Sequence, residues 1–123
     1  MAKILFVEDD DFIRESVSQI IEEWGYTVLV AGDVDEALAV LESSQDIDAL
    51  ITDLTLKRAN YGGYELSRRA VEQRPSMRVL YTSGNARNQH DIHRSVPGAQ
   101  FIQKPYREEN LRRIVDALFA VSF

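Results

Sequence analysis

Ala49-Leu50-Ile51-Thr52-Asp53 is the stretch that decides the fold. Apolar residues run unbroken into a carboxylate, and Lys57-Arg58-Ala59-Asn60-Tyr61-Gly62-Gly63 beyond it reads as loop. A short, uninterrupted apolar run is the pattern of a strand buried on both faces, as in a parallel sheet covered by helices. Asp53 then stands at the C-terminal end of that strand, on the rim where open α/β sheets bind ligands. A turn or helix-capping aspartate would look the same in isolation. The rest of the chain decides between the two.

Upstream, Ile4-Leu5-Phe6-Val7 and Thr27-Val28-Leu29-Val30 are runs of the same kind. Downstream, Arg78-Val79-Leu80-Tyr81-Thr82 and Ala99-Gln100-Phe101-Ile102-Gln103 complete a set of five, with Ser83-Gly84-Asn85 read as a turn. Helical spacing fills the intervals. Ile13, Val17, Ile20, Ile21 and Trp24 share one face, and Gly25 is a plausible stop. Val34, Leu38 and Leu41 form a second stripe, opened by Asp33 with Glu36 as a capping pair and closed by Ser43-Ser44-Gln45. A third helix begins near Gly63, carries Leu66, Ala70 and Val71 inward and ends at Arg74-Pro75. Ala86–Val96 is polar and weakly periodic, and is assigned as a fourth helix on that weaker pattern. Leu111, Ile114, Val115, Leu118 and Phe119 mark the last. Regular β-α alternation implies a doubly wound parallel α/β sheet with helices on both faces, in one domain over residues 1–123.

Composition narrows the function. A chain of 123 residues, 45% hydrophobic and 28% charged, is large enough for a core without staples. It has no cysteine, which excludes disulfides, thiolate catalysis and Cys-based metal sites. A net charge of −6 without a basic cluster argues against nucleic-acid binding by this chain alone. No apolar run approaches the length of a membrane span, and Met1-Ala2-Lys3 leads straight into a strand, so a cytoplasmic protein is expected.

In a parallel sheet, all C-terminal strand ends lie on one edge. Glu8 and Asp9 follow the first strand, Asp53 ends the third, Thr82 ends the fourth and Lys104 follows the fifth. Carboxylates gathered this closely repel unless a cation sits among them. Oxygen donors of this kind suit Mg²⁺, which keeps waters and often a phosphate in its shell. Lys104 and Thr82 supply what a phosphoryl group needs, a point charge and a hydroxyl donor. Asp53 is then either a further metal ligand or a nucleophile. Nothing here is a good general base for water; His90 and His93, on the weak fourth helix, read as solvated surface residues.

The chain resembles the receiver domain of two-component response regulators along essentially its whole length. The motifs that carry the resemblance are Ile4-Leu5-Phe6-Val7-Glu8-Asp9-Asp10, Ile51-Thr52-Asp53-Leu54, Gly63-Tyr64-Glu65-Leu66, Val79-Leu80-Tyr81-Thr82-Ser83-Gly84 and Phe101-Ile102-Gln103-Lys104-Pro105-Tyr106. The resemblance implies a flavodoxin-like sheet in strand order 2-1-3-4-5. It implies that Asp53 is a phosphoacceptor served by a sensor histidine kinase or histidine phosphotransfer protein. Glu8, Asp9, Asp53 and the Thr55 backbone carbonyl would hold Mg²⁺. Thr82 and Phe101 would be the switch pair, and Lys104, before a cis Pro105, would meet the phosphoryl group. Asp10 reads as rim or helix cap. The output surface would be the fourth helix, fifth strand and fifth helix, acting on a downstream protein, with homodimerisation on phosphorylation as one form of output. Such a domain is a signalling element and not an enzyme, beyond its own phosphotransfer and autodephosphorylation.

Some positions depart from the family pattern. Lys57 occupies the place of a proline four residues after the phosphoacceptor, and the matching glycine, Gly63, comes ten residues after Asp53 where about eight is usual. The connection after the third strand is therefore longer and more basic. Two other readings compete: a receiver-like interaction module that works without phosphorylation, and a Mg²⁺-dependent α/β phosphohydrolase or nuclease. The module reading fits poorly because every acid and the lysine are kept. The hydrolase reading fits poorly because Thr55 stands where a second acid is wanted. An FMN-binding flavodoxin is disfavoured by the acidic loop after Val7, where phosphate binding wants glycine and hydroxyls. The sequence ends at Phe119-Ala120-Val121-Ser122-Phe123 with no effector domain in it; as a whole protein it would be a single-domain regulator or relay, and as an excised fragment its output could be anything, DNA binding or an enzyme included.

Overall fold

The computed structural model describes residues 2–43, 46–56, 62–84 and 94–120. In chain order these form β1 (Lys3–Val7), α1 (Asp11–Glu23), β2 (Thr27–Ala31), α2 (Val34–Ser43), β3 (Ala49–Asp53), α3 (Gly62–Gln73), β4 (Arg78–Ser83), β5 (Gln100–Gln103) and a C-terminal helix, α4 (Glu108–Leu118). The helix expected over Ala86–Val96 falls mostly on residues 85–93, outside the described residues. The strands form one parallel sheet in the order β2-β1-β3-β4-β5, the doubly wound, flavodoxin-like arrangement. β3 lies at its centre and is buried at every residue, as its unbroken apolar run requires.

Period-two alternation sorts the core into two layers. Leu5, Val7, Leu50, Val79 and Tyr81 face Ala37 and Leu41 of α2 and Leu66 and Ala70 of α3. Ile4, Phe6, Ile51, Leu80 and Ile102 face Ile21 of α1 and Leu111, Val115 and Leu118 of α4. Burying each large apolar side chain is worth roughly 1.5–3 kcal/mol before chain entropy is counted. Tyr81 is fully buried at the centre of an aromatic row, with its ring centroid 5.1 Å from Tyr64 and 5.0 Å from Phe101. Its hydroxyl lies 2.6 Å from Ser67 Oγ on α3 and accepts a 3.1 Å bond from the Val96 N–H.

The local signals hold with small corrections. Asp10 caps α1 by accepting a 2.9 Å bond from the Ile13 N–H, and Gly25, at φ 101°, follows its C-terminus. Asp33 accepts from the Glu36 N–H at 2.8 Å, but Glu36 reaches back to the Gly32 N–H, at 3.3 Å, one residue short of the usual box. β4 extends through Ser83, which pairs with Gln103, so the turn begins a residue later than its composition predicts. Phe119 is a packed helix end: its ring stacks on Tyr26 at 5.3 Å, and the Tyr26 hydroxyl donates to Asp116 at 2.6 Å.

Candidate functional site

The C-terminal strand ends are laced together by backbone bonds. The Leu54 N–H donates to the Thr82 carbonyl at 2.9 Å, the Lys104 N–H to the Ser83 carbonyl at 2.7 Å and the Glu8 N–H to the Ala31 carbonyl at 3.1 Å. Side-chain parity then sets which residues meet. Two positions on from Phe6, Ile51, Leu80 and Ile102, all in the α1/α4 layer, come Glu8, Asp53, Thr82 and Lys104. The helices close over them: Glu8 and Thr82 are each 1% exposed and Asp53 7%.

Lys104 stands between two of the acids. Its Nζ donates to Glu8 Oε1 at 2.6 Å and to Asp53 Oδ2 at 3.1 Å. Glu8 Oε2 accepts a 3.1 Å bond from the Asp10 N–H, and the Asp53 carboxylate accepts from the Thr55 N–H. Burial raises the Glu8 and Asp53 carboxyls above the ordinary carboxylate range, and Lys104 only partly offsets it. Burial alone would lower Lys104, but its bond to Glu8 and the Asp53 charge overcome this, and its ammonium titrates above the usual lysine value.

Carboxylate oxygens from Glu8, Asp9 and Asp53 lie within 4.8 Å of one another. One ammonium, paired with two of the three acids, leaves excess negative charge, and the donors are all hard oxygens. That set fits Mg²⁺. Thr55 lies two residues past Asp53 in the connection after β3, near enough for its backbone to serve as a ligand. The structure thus brings together Glu8, Asp9, Asp53, Thr82 and Lys104, and Lys104-Pro105 is a cis peptide. Phe101 belongs to the other layer, half-buried beside Tyr81, its register partner. His90 and His93 lie outside the described residues.

Other residues at the site were not evident from sequence. A Cβ on Gly63 would fall 2.3 Å from the Asp53 carbonyl oxygen and 2.9 Å from Leu54 Cα, so only glycine lets α3 start this close to the acid. The Gly63 N–H donates to the Leu54 carbonyl at 3.1 Å. Its position at a helix start was legible, but not the contact. Beside Lys104, Ile13, Val17, Pro105 and Tyr106 line an open, mainly apolar groove of about 430 Å³, and Phe12 projects nearby in sequence with 79% of its surface exposed. No helix among the described residues is long and apolar enough to cross a membrane.

Comparison with known proteins gives one answer. Residues 4–116 match the response regulator receiver domain. The nitrogen assimilation regulatory protein NtrX of Azorhizobium caulinodans is 29% identical over 109 residues, covering 88% of this chain and 24% of that protein. The first curated relatives are all longer, the chain spanning between 23% and 46% of them. Among solved structures, a CheY-like receiver domain protein from Methanospirillum hungatei is 30% identical with a TM-score of 0.82, covering 96% of this chain and 94% of that one. Chemotaxis protein CheY4 of Vibrio cholerae is 25% identical with a TM-score of 0.86, covering 97% and 99%.

Proposed function

The chain belongs to the response regulator receiver domain family, a family of signalling domains, and from that premise we propose that Asp53 is its phosphoacceptor. The observation that carries this is the placement of the Asp53 carboxylate. It is buried at the strand rim, 3.1 Å from the Lys104 ammonium and in one oxygen cluster with Glu8 and Asp9. An Asp53 oxygen attacks the phosphorus of a phosphohistidine or small acyl phosphate. The bond from phosphorus to the donor breaks, the donor leaves with that electron pair, and an acyl phosphate forms on Asp53.

Glu8, Asp9, Asp53 and the Thr55 carbonyl would hold Mg²⁺, which supplies charge neutralisation for the transferring group. Lys104 releases its hold on Asp53 and pairs with a phosphoryl oxygen. Thr82, on the same layer of the adjoining strand, donates its hydroxyl to another. Most of the catalysis is placement, because Glu8, Asp9, Asp53, Thr82 and Lys104 include no good general base to activate water. Phe101 and the segment after β4 are the switch that answers those new contacts, shifting the balance between two arrangements. The whole of residues 1–123 serves as the receiver unit, in the cytoplasm, and passes its state to a downstream protein or a second copy.

The donor is a sensor kinase or a phosphotransfer protein that offers a helix-borne histidine. The groove of Ile13, Val17, Pro105 and Tyr106 and the exposed Phe12 ring support docking of an apolar helix face next to Lys104. Phe12→Ala should then slow transfer from the protein donor and leave transfer from acetyl phosphate unchanged.

The deciding experiment is intact mass after incubation with acetyl phosphate and Mg²⁺, beside Asp53→Asn and a metal-free control. A gain of one phosphoryl group that needs both Asp53 and Mg²⁺ supports the reading. No gain, together with no NMR change on beryllofluoride titration, would overturn it and leave a receiver that acts by constitutive binding.

A further inference from the structure

We infer that Arg14 is a positioning residue for the metal-binding acids, acting through the peptide that joins Glu8 to Asp9. This rests on the Mg²⁺ reading above and adds a residue to it. Arg14 lies in the first turn of α1, and its side chain is 23% exposed. Nη1 donates to the Glu8 carbonyl oxygen at 2.8 Å, and Nη2 donates to Asp11 Oδ1 at 2.5 Å. The same guanidinium lies against Gly32 in the β2–α2 turn, where an added Cβ would come 3.1 Å from Nη1. The fork is therefore held from two sides, and its bond fixes the plane of the Glu8–Asp9 peptide.

That plane has other restraints at Glu8, but this one falls on the carbonyl side, where Asp9 departs. The Glu8 N–H is tied to the Ala31 carbonyl, and the Glu8 carboxylate to the Asp10 N–H and Lys104. Asp9 is half-exposed, so burial restrains its direction less than that of Glu8 or Asp53. Its bearing toward the other two acids depends on where its backbone is pinned. Losing the Nη1 bond frees the Glu8–Asp9 peptide to rotate and spreads the directions available to the Asp9 carboxylate.

Charge and position make opposite predictions for this residue. Arg14 is a cation beside a cation site, so Coulomb's law alone says that removing it should tighten Mg²⁺. Its pairing with Asp11 mutes that repulsion. Positioning says that removing it should weaken Mg²⁺, and outer-shell supports of metal ligands are typically worth about tenfold or more.

The test is an amide NMR titration of the 123-residue chain with MgCl₂ alone. The unaltered chain is compared with Arg14→Met, which keeps the apolar stem, and with Arg14→Met/Asp11→Asn, which restores the net charge. Amide shifts of the two core layers report that each variant is folded. The expected result is a Kd for Mg²⁺ about tenfold higher in both variants. A Kd changed by less than about threefold in either, or lowered, would overturn the inference while leaving the metal site standing. Absence of Mg²⁺ binding by the unaltered chain would overturn the metal-site reading, and this inference with it.

Discussion

Gly63→Ala sets two well-measured effects against each other. Helix propensity favours the change, since alanine is worth up to about 1 kcal/mol over glycine in a helix interior, less in a first turn. Packing opposes it. The new methyl would sit 2.3 Å from the Asp53 carbonyl oxygen, whereas ordinary contact begins near 3.4 Å, so backbone must separate by about 1.1 Å (3.4 less 2.3). Both neighbours, Asp53 and Leu54, are rigid backbone at the end of the central strand, and no flexible side chain can yield. Overpacking of this kind costs roughly 1–3 kcal/mol. The 3.1 Å bond from the Gly63 N–H to Leu54 is strained at the same time. The net expectation is a loss of about 2 kcal/mol in urea unfolding, or a Tm lower by roughly 6–10 °C. Because the displacement falls on Asp53 itself, acceptance of phosphate from acetyl phosphate should slow by about a hundredfold. Gly84→Ala is the control: among the described residues nothing lies within 4 Å of its added Cβ, and its stability should hold. A Gly63→Ala protein as stable as the parent, accepting phosphate at the parental rate, would refute the claim that this close approach places the acid.

Lys104→Met removes the cation from two buried carboxylates and should destabilise the metal-free protein by about 2 kcal/mol at pH 7. Glu8 and Asp53 titrate above their ordinary values, so they take up protons sooner as pH falls; the urea-measured loss should shrink toward pH 4, and an equal loss at both pH values would contradict the pairing. The raised carboxyls also make protons compete with Mg²⁺ at a higher pH than ordinary acids would. Calorimetry should show affinity falling as pH is lowered from neutrality, with proton release on binding, and a flat profile would argue against these ligands. Tyr81→Phe keeps the ring but leaves the Val96 N–H without its hydroxyl acceptor, while Ser67 still donates to the Tyr64 carbonyl. A loss of about 1–2 kcal/mol with unchanged phosphate uptake is expected, and intact-mass and unfolding measurements on one sample check both halves.

The sequence was most readable where chemistry and periodicity coincide. β3 and β1 are continuous apolar runs leading into acids, so both the strands and the rim position of Glu8, Asp9 and Asp53 are legible in the sequence. Thr82 and Lys104 followed from the same strand-end logic. What could not be read were contacts set by side-chain reach across the sheet. That Lys104 bridges Glu8 and Asp53 depends on rotamers, not on spacing. Tyr81 looked like one more strand residue; its bonds to Ser67 and Val96 join positions 14 and 15 residues away. Arg14 carried only a faint signal, the first cation after four acids. The Glu36 arm was expected on Asp33 and found Gly32, because capping spacing leaves a one-residue freedom that the turn decides.

The even step from core residue to site residue makes strands and connections respond oppositely to insertion and deletion. Removing Thr52 would leave β3 apolar and its composition almost unchanged. It would nevertheless turn Asp53 away from Lys104 and into the layer of Val7 and Tyr81, a carboxylate with no counter-ion. Adding residues between Asp53 and Gly63 alters the parity of neither β3 nor β4. A separation of ten residues between Asp53 and Gly63 can therefore coexist with an intact acidic edge. In a lineage of such domains, length variation should collect between the elements, and a frame of fixed strand lengths should persist wherever the acids and the lysine still function.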